Sequence, residues 1–190
     1  MGQQLWQTYE DRLNLLKSLV KHETVTNTQG EITFPNFVKN LLLKLEYFQQ
    51  HQSQILLEAT EDKKEAVVAF YQAPTSKKTI VLISHFDTVG VEDFGSYSEH
   101  AFDPDALKEI FKDNSSYLSE DAIEDLNRDT YLFGRGVMDM KAGLMLHLSL
   151  IEQASIEAWD INLILVTVPD EEVNSSGMRK AVETIARLKQ

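Results

Sequence analysis

The chain contains no cysteine. Without thiols it forms neither disulfide bonds nor thiolate metal sites, and a reducing cytoplasm is the compartment that we expect. Long apolar runs are also missing, since no stretch approaches the ~18 residues that a membrane-spanning helix needs. The first twenty residues carry acids early and have no unbroken apolar core, so we expect no signal peptide there.

Basic residues are scarce. The 190 residues include 18 Lys and Arg against 30 Asp and Glu, which gives a net charge of −12. Residues 92–129 hold twelve acids and three bases, and therefore nine of the twelve excess negative charges. Nucleic acids and anionic membranes bind basic patches, so neither is an expected partner. The 43% hydrophobic content is otherwise that of an ordinary globular domain.

Hydrophobic spacing predicts an alternation of helices and strands. We expect helices at 4–21, 34–50, 141–154 and 176–189, strands at 55–59, 66–71, 79–84 and 161–168, and a short strand in "TYLFGRG", residues 130–136. The acidic segment 92–129 is predicted to be an insert with short helices near 104–112 and 119–127. Strands that are apolar on both faces, such as 79–84 and 161–168, are usually covered by helices on both sides. The predicted fold is therefore α/β, a three-layer helix–sheet–helix sandwich with a mixed, mostly parallel sheet.

Three polar clusters follow predicted strands or glycine turns. His85 and Asp87 come directly after 79–84, Asp139 follows "FGRG", and Asp170, Glu171 and Glu172 follow 161–168. Ligands of open α/β sheets bind beyond the carboxyl ends of the strands. An imidazole two residues from a carboxylate suits a metal-binding His whose other nitrogen is held by an acid. Three adjacent carboxylates raise each other's pKa unless a cation lies between them.

Each cluster taken alone also has an ordinary structural explanation. The segment "SHFDT" also fits a surface turn, Asp139 fits a helix N-cap, and "PDEEV" fits a solvated acidic turn. Taken together, one imidazole and several carboxylates at strand ends predict a metal site. Oxygen and nitrogen ligands without cysteine suit catalytic zinc, with manganese or cobalt as alternatives.

Three segments in this order resemble the N-terminal signatures of one enzyme family. They are "VLISHFDTV", "GRGVMDMKAG" and "VPDEEVNSSG", and "LLKSLVKHETVTNTQGE" resembles the first helix and loop of the same family. The family is that of the di-zinc metallopeptidases and deacylases, which includes aminoacylase, carboxypeptidase G and succinyl-diaminopimelate desuccinylase. The insert, with "VEDFGS" and "AFDP", is most similar to the arginine-utilisation (RocB-type) branch.

The resemblance implies a role for each motif residue. His85 and Glu172 would each ligate one of two zinc ions, Asp139 would bridge both, and Asp87 would orient His85. Glu171 would be the general base, taking a proton from water and passing it to the leaving amine. The peptide bond Asp139–Met140 would be cis. The implied reaction is hydrolysis of an amide or peptide bond in a small acyl-amino acid or dipeptide-like substrate, in arginine or amino-acid catabolism. Deacylase and dipeptidase activity are not separable from these residues.

Family members are about twice as long, so the resemblance implies that residues 1–190 are the N-terminal portion of the catalytic domain, incomplete at its C-terminal side. Two further zinc ligands and a lid or dimerisation domain would be missing. We therefore expect weak or single-metal binding, no useful hydrolysis by this chain alone, and self-association through an unpaired sheet edge. The alternative is a non-catalytic short form that keeps the fold and binds a partner.

Overall fold

A computed structural model describes residues 4–128 and 130–188 as one mixed sheet with helices on both faces. The strands are β1 Ile55–Ala59, β2 Glu65–Tyr71, β3 Thr79–His85 and β4 Asn162–Val168. The α-helices are α1 Tyr9–Lys21, α2 Gln29–Leu42, α3 Glu46–Gln50, α4 Pro104–Asp113, α5 Glu120–Arg128, α6 Ala142–Glu157 and α7 Ser176–Leu188. Short 3-10 turns occupy Gln52–Gln54, Glu92–His100 and Ser115–Tyr117, and a π-helical turn spans Val137–Lys141.

The described strands lie in the order β1-β2-β4-β3. Strand β1 is antiparallel to β2, β2 is antiparallel to β4, and only β3 and β4 are parallel. The prediction of a mixed sheet is confirmed, but the prediction that it is mostly parallel is wrong for these strands. The reason is local: the Thr60–Lys64 turn, closed by the Thr60 N–H on the Lys64 carbonyl at 2.8 Å, folds β2 straight back onto β1.

Alternate residues of the sheet face two separate apolar layers. Val67, Ala69, Leu163 and Leu165 pack with α1, α2 and α6, whereas Ala66, Val68, Ile164 and Val166 pack with α7. Because side chains alternate along a strand, β2 and β4 can be apolar throughout and still be fully covered. The predicted helix–sheet–helix layering is thereby confirmed.

Strand β3 departs from the prediction that both of its faces are covered. It forms one edge of the described sheet, and Ile80 and Ile83 are 47% and 50% exposed. Strand β4, which has the same all-apolar pattern, lies between β2 and β3 and is buried along almost its whole length. The residue pattern therefore reports that a strand belongs to an apolar sheet, but not whether it lies at the centre or the edge.

The N-terminal helices begin and end at different residues from those predicted. Helix α1 starts at Tyr9 because Thr8 and Asp11 form a capping box, and residues 4–8 precede it in a non-helical conformation. The predicted helix 34–50 is divided into α2 and α3 by a turn at residues 43–45. Helix α2 begins five residues earlier, at Gln29, so Pro35 lies inside it.

The acidic insert contains the two predicted helices, α4 and α5. Residues 130–136 form no strand, so that prediction is wrong. The apolar Phe133 packs instead with Leu107, Phe111 and Leu126 of the insert, in a small core separate from the sheet. Among the described residues, no helix is both long and apolar enough to cross a membrane.

Candidate metal centre

The carboxyl ends of β3 and β4 lie side by side because the two strands are parallel. His85, the last residue of β3, is paired in register with Val168 at the end of β4. The loop that follows β4 carries Glu171 and Glu172, and the π-helical turn before α6 brings Asp139 to the same edge. The fold thus creates a common site beyond the strand ends, where open α/β sheets bind ligands.

His85, Asp139 and Glu172 form the centre of this site. One potential ligand atom of each lies within 4.8 Å of the others, and His85 Nε2 is 2.8 Å from Asp139 Oδ1. His85 is almost buried, whereas the Asp139 carboxylate is 77% exposed. The three residues predicted as metal ligands are therefore brought together, with the imidazole at the protein side and Asp139 toward solvent.

Asp87 orients His85 from the protein side. His85 Nδ1 lies 3.0 Å from the Asp87 carbonyl oxygen and 3.6 Å from its carboxylate, which leaves Nε2 facing the cluster. Burial alone would lower the pKa of His85, but the hydrogen bonds to Asp87 and Asp139 outweigh it and raise that pKa to about 9. A histidine held in this way is oriented to ligate through Nε2.

Asp87 also holds the acidic loop. Its fully buried carboxylate accepts the backbone N–H groups of Glu171 at 3.0 Å and Glu172 at 3.2 Å, and the Thr26 hydroxyl at 3.0 Å. Burial raises the pKa of Asp87, but these bonds and the contact with His85 lower it below its ordinary value. Asp87 therefore stays ionised while it couples the imidazole to the loop.

The turn before α6 depends on Gly136. Its φ is +74°, and a Cβ at this position would lie 2.7 Å from Thr88 Cγ2. Three residues later, the Asp139–Met140 peptide bond is cis, as the resemblance implies. The left-handed φ of Gly136 therefore lets the backbone turn tightly before Asp139, whose carboxylate reaches His85.

Lys141 anchors the other end of this turn. It is fully buried, its Nζ donates to the His22 carbonyl at 2.7 Å, and the rings of Phe34 and Phe102 lie 5.2 and 5.7 Å away. Burial lowers the pKa of Lys141 to about 7, with Glu23 acting in the opposite direction. The complete burial of Lys141 was not predicted from the sequence.

The two glutamates of the loop differ in environment. The Glu171 side chain is 50% exposed and lies 3.9 Å from His85 Nε2. Glu172 is partly buried, and its pKa is raised by burial and by the charges of Asp139, Asp87 and Glu171, against the opposing effect of His85. A cation beside Glu172 would therefore favour its ionised form, whereas Glu171 lies at the solvent side.

Asp170, the first of the three acids, is a structural residue of the loop, and its partners were not predicted. It is buried with φ +65°, and its carboxylate accepts Lys64 Nζ at 2.8 Å. Its N–H donates to the buried carboxylate of Glu31 at 2.9 Å. Neither Lys64 nor Glu31 belongs to a recognisable motif; the only signal was the place of Glu31 at the end of "NTQGE".

The site has a large excess of negative charge. Six carboxylates, those of Glu31, Asp87, Asp139, Asp170, Glu171 and Glu172, meet one lysine and one imidazole among the described residues. Lys64 compensates Glu31 and Asp170 on the buried side. Among the described residues, Asp139 and Glu172 face His85 but form no ion pair with a lysine or arginine, so a divalent ion with oxygen and nitrogen ligands fits this position.

Two further features do not contribute to the cluster. A cleft of about 440 Å³ lies between the Thr60–Lys64 turn and α7, but none of the three candidate ligands lines it. His147 lies partly buried on α6 outside the cluster, and burial lowers its pKa.

The fold is similar to that of solved metallopeptidases. A solved M20 family metallo-carboxypeptidase from Sulfolobus solfataricus has a similar fold, with a TM-score of 0.66 and 20% identity over 94% of this chain and 35% of that one. The chain belongs to peptidase family M20/M25/M40, whose model matches residues 81–190.

Two curated proteins of Bacillus subtilis (strain 168) are close in sequence. The chain is 39% identical to the protein YqjN over 183 residues and 34% identical to the protein RocB over 182 residues. These matches cover 96% and 92% of this chain but 34% and 32% of the relatives. The chain therefore spans about a third of the length of the curated relatives that it matches.

Proposed function

We propose that His85, Asp139 and Glu172 bind zinc in the active site of a hydrolase that cleaves amide or peptide bonds. The observation that carries this proposal is the convergence of their ligand atoms within 4.8 Å, with the second nitrogen of His85 already held by Asp87. Membership of family M20/M25/M40 supports the reaction class. Two ions, as the resemblance implies, would share Asp139, and cobalt or manganese would substitute for zinc.

When bound, such an ion polarises the substrate carbonyl and lowers the pKa of water. The chain's own residues have separate tasks. Asp87 fixes the orientation of His85 and the backbone of the acidic loop, so Glu172 and His85 Nε2 keep a constant separation. This is the preorganisation that a catalytic site needs, because little structure has to move during the reaction.

Glu171 is the proposed general base. Its carboxylate is half exposed and 3.9 Å from His85 Nε2, so it reaches both the cluster and the solvent. It takes a proton from the attacking water and delivers it to the leaving amine, which gives an acid and an amine as products.

The proposed substrates are small acyl-amino acids or dipeptide-like molecules. The 34% identity with RocB supports placing the chain in the RocB-type branch, and a role in arginine or amino-acid catabolism is part of the proposal.

The metal proposal is tested by titrating the chain with Co²⁺ and Zn²⁺ in a calorimeter. Since the described residues bring three ligands together, we expect about one ion per chain. His85→Ala and Glu172→Gln each remove a proposed ligand, so we expect each to weaken Co²⁺ and Zn²⁺ binding by about tenfold or more. The matched variant Glu171→Gln should change the affinity little. Equal losses in E171Q and E172Q would contradict the division of roles.

Hydrolysis is tested in a chimera that carries residues 1–190 in place of the matching third of YqjN. Acyl-amino acids and dipeptides are offered with zinc or cobalt. We expect turnover that Glu171→Gln lowers by at least about a hundredfold without loss of metal, because general-base catalysis typically contributes that much. Robust turnover by residues 1–190 alone would contradict the expectation that this segment is inactive by itself.

A further inference from the structure

Lys64 lies outside the three motifs, in the turn between β1 and β2. It is 4% exposed, and its ammonium group meets three carboxylates: Asp170 at 2.8 Å, Glu31 at 3.3 Å and Asp62 at 3.5 Å. The backbone of the turn is itself closed by Thr60, which bonds both the N–H and the carbonyl of Lys64. The backbone of Lys64 is therefore held in place by the turn, and its side chain extends into the protein interior.

The two buried partners of Lys64 both hold the acidic loop. Glu31 accepts the Asp170 N–H through one oxygen at 2.9 Å and the Asn27 N–H through the other at 2.7 Å. The Asp170 carboxylate accepts the Ser176 N–H at 3.1 Å. The carbonyl of Asp170 accepts the N–H groups of Asn174 and Ser175 at 3.0 and 2.5 Å, so all polar groups of Asp170 are bonded within the loop or to its support.

Three consecutive backbone N–H groups are thus bound by buried carboxylates. Asp170 donates to Glu31, and Glu171 and Glu172 both donate to Asp87. Asp87 has His85 as its cationic partner, whereas Glu31 and Asp170 have only Lys64 among the described residues. Burying a carboxylate without a compensating charge costs free energy. Removing one partner of a buried ion pair is therefore strongly destabilising.

From these contacts we infer that Lys64 is a positioning residue of the candidate active site. Its ammonium group holds Glu31 and Asp170 together beneath the acidic loop and thereby sets the backbone from which Glu171 and Glu172 project. Lys64 acts through these neighbours and touches neither the substrate nor the ion. The inference deepens the proposed function, on which its metal-binding consequence rests.

The absence of cysteine allows the charge to be tested without changing the shape of the side chain. In Lys64→Cys, the single thiol is alkylated in denaturant and the chain is refolded. Alkylation with 2-bromoethylamine restores an ammonium group at the length of lysine. Alkylation with 1-bromopropane gives a neutral side chain of matched length. The variant Lys63→Met, which removes an exposed positive charge from the same turn, serves as the unmodified control.

The first readout is amide hydrogen exchange at residues 170–172, measured by NMR without metal. We expect exchange at these amides to be about tenfold or more faster in the propyl form than in the aminoethyl form, while Leu165 and Val166 in β4 stay equally protected. K63M should match the wild type. Equal protection of 170–172 in both alkylated forms would overturn the inference. Parallel loss of protection in β4, or failure of the propyl form to fold, would also overturn it, because Lys64 would then support the whole fold.

The second readout is Co²⁺ affinity. Residues that support metal ligands typically change affinity 10- to 100-fold, so we expect a loss of about that size in the propyl form and recovery in the aminoethyl form. If the wild-type chain itself binds no Co²⁺, the proposed function fails in this chain, and the exchange comparison still decides the role of Lys64. Unchanged affinity in the propyl form alongside strong wild-type binding would overturn the inference.

Discussion

His85 holds its proton far more tightly in the folded chain than a free imidazole does. Its pKa rises from 6.5 to about 9 because Asp87 and Asp139 favour the charged form more than burial opposes it. Without metal, this interaction stabilises the fold fully below pH 6.5, and the stabilisation is lost as the pH rises through about 9. A metal ion instead requires the neutral imidazole, so the proton and the ion compete for Nε2.

This competition predicts a pH-dependent Co²⁺ affinity. Between about pH 6.5 and 8 the affinity should rise close to tenfold per pH unit, because one proton leaves His85 for each ion bound. Calorimetry at pH 7 in buffers of different ionisation enthalpy measures that proton directly. A pH-independent affinity, or binding without proton release, would show that His85 is already neutral or is not a ligand.

Gly136 gives a second prediction at a single residue. Gly136→Ala places a Cβ at φ +74° and 2.7 Å from Thr88 Cγ2, so we expect a loss of about 1–2 kcal/mol or more in the free energy of unfolding. Weaker Co²⁺ binding should accompany it, because Asp139 follows three residues later. Urea denaturation and metal titration measure the two effects.

Gly143 provides the matched control on the same segment. Its φ is ordinary for a helix, and the added Cβ would meet only the terminal Cε of Met140, which can move. Gly143→Ala should therefore be neutral or stabilise by up to about 1 kcal/mol, since alanine is the better helix former. Equal losses in both variants would mean that crowding, rather than the left-handed backbone at Gly136, is responsible.

At the scale of elements, α6 binds the N-terminal segment through two buried side chains, Ser149, whose hydroxyl donates to the Trp6 carbonyl at 2.9 Å, and Glu152. The Glu152 carboxylate accepts the backbone N–H groups of Leu5 at 2.5 Å and Trp6 at 2.9 Å, and the Gln7 side-chain amide at 2.6 Å. Trp6 is buried in the same apolar layer as α1 and α6. The segment before α1 is thus fixed by Ser149 and Glu152 rather than by helix formation.

Glu152→Ala leaves these donors without an acceptor in a buried setting. We expect a loss of about 2–4 kcal/mol in the free energy of unfolding, measured by urea denaturation, with faster exchange at the Leu5 and Trp6 amides. The next residue offers a control, because the Gln153 side-chain amide donates to Glu157 at the surface of the same helix. Gln153→Ala should change the free energy of unfolding by less than about 0.5 kcal/mol. If Q153A lost as much stability as E152A, the loss would come from weakening helix α6 and not from the missing acceptor.

These contacts explain which parts of the fold could be predicted from the sequence. Strands β1 to β4 and helices α4 to α7 follow from local apolar spacing. The clusters that contain His85, Asp139 and Glu172 were found because they follow strands or glycine turns, and the family resemblance singled out Glu172 among the three adjacent acids. The Glu152 and Lys64 contacts join residues 146 and 106 positions apart, and no local pattern encodes such pairings. The attachment of residues 4–8 to α6 and the support of the acidic loop were therefore missed, whereas the start of α1 at Tyr9 follows from the local Thr8–Asp11 capping box.

The order of the strands, and which strands form the edges of the sheet, could not be predicted from local sequence patterns for the same reason. Residues 79–84 and 161–168 have equivalent apolar sequences, but β4 lies between two strands and β3 has a neighbour on one side only among the described residues. Which strand is central depends on the connections between elements. The segment 130–136 was predicted to be a strand because it contains apolar residues, but its Phe133 packs in the core of the insert rather than in the sheet.

At the scale of the whole molecule, the free edge of β3 predicts self-association of this chain. Ile80 and Ile83 point to opposite faces of the strand and are both about half exposed, so the backbone edge and both adjoining faces are open to another strand. Sedimentation velocity should show weight-average mass rising with concentration above the 21.7 kDa monomer.

Ile83→Lys tests whether β3 is responsible. A charge on an edge strand opposes further strand pairing, so the variant should remain monomeric at concentrations where the wild type associates. Val182→Lys adds the same charge at an exposed valine of α7, away from that edge, and should associate as the wild type does. A wild type that stays monomeric throughout would contradict the prediction. Association that survives I83K but is lost in V182K would place the contact on α7.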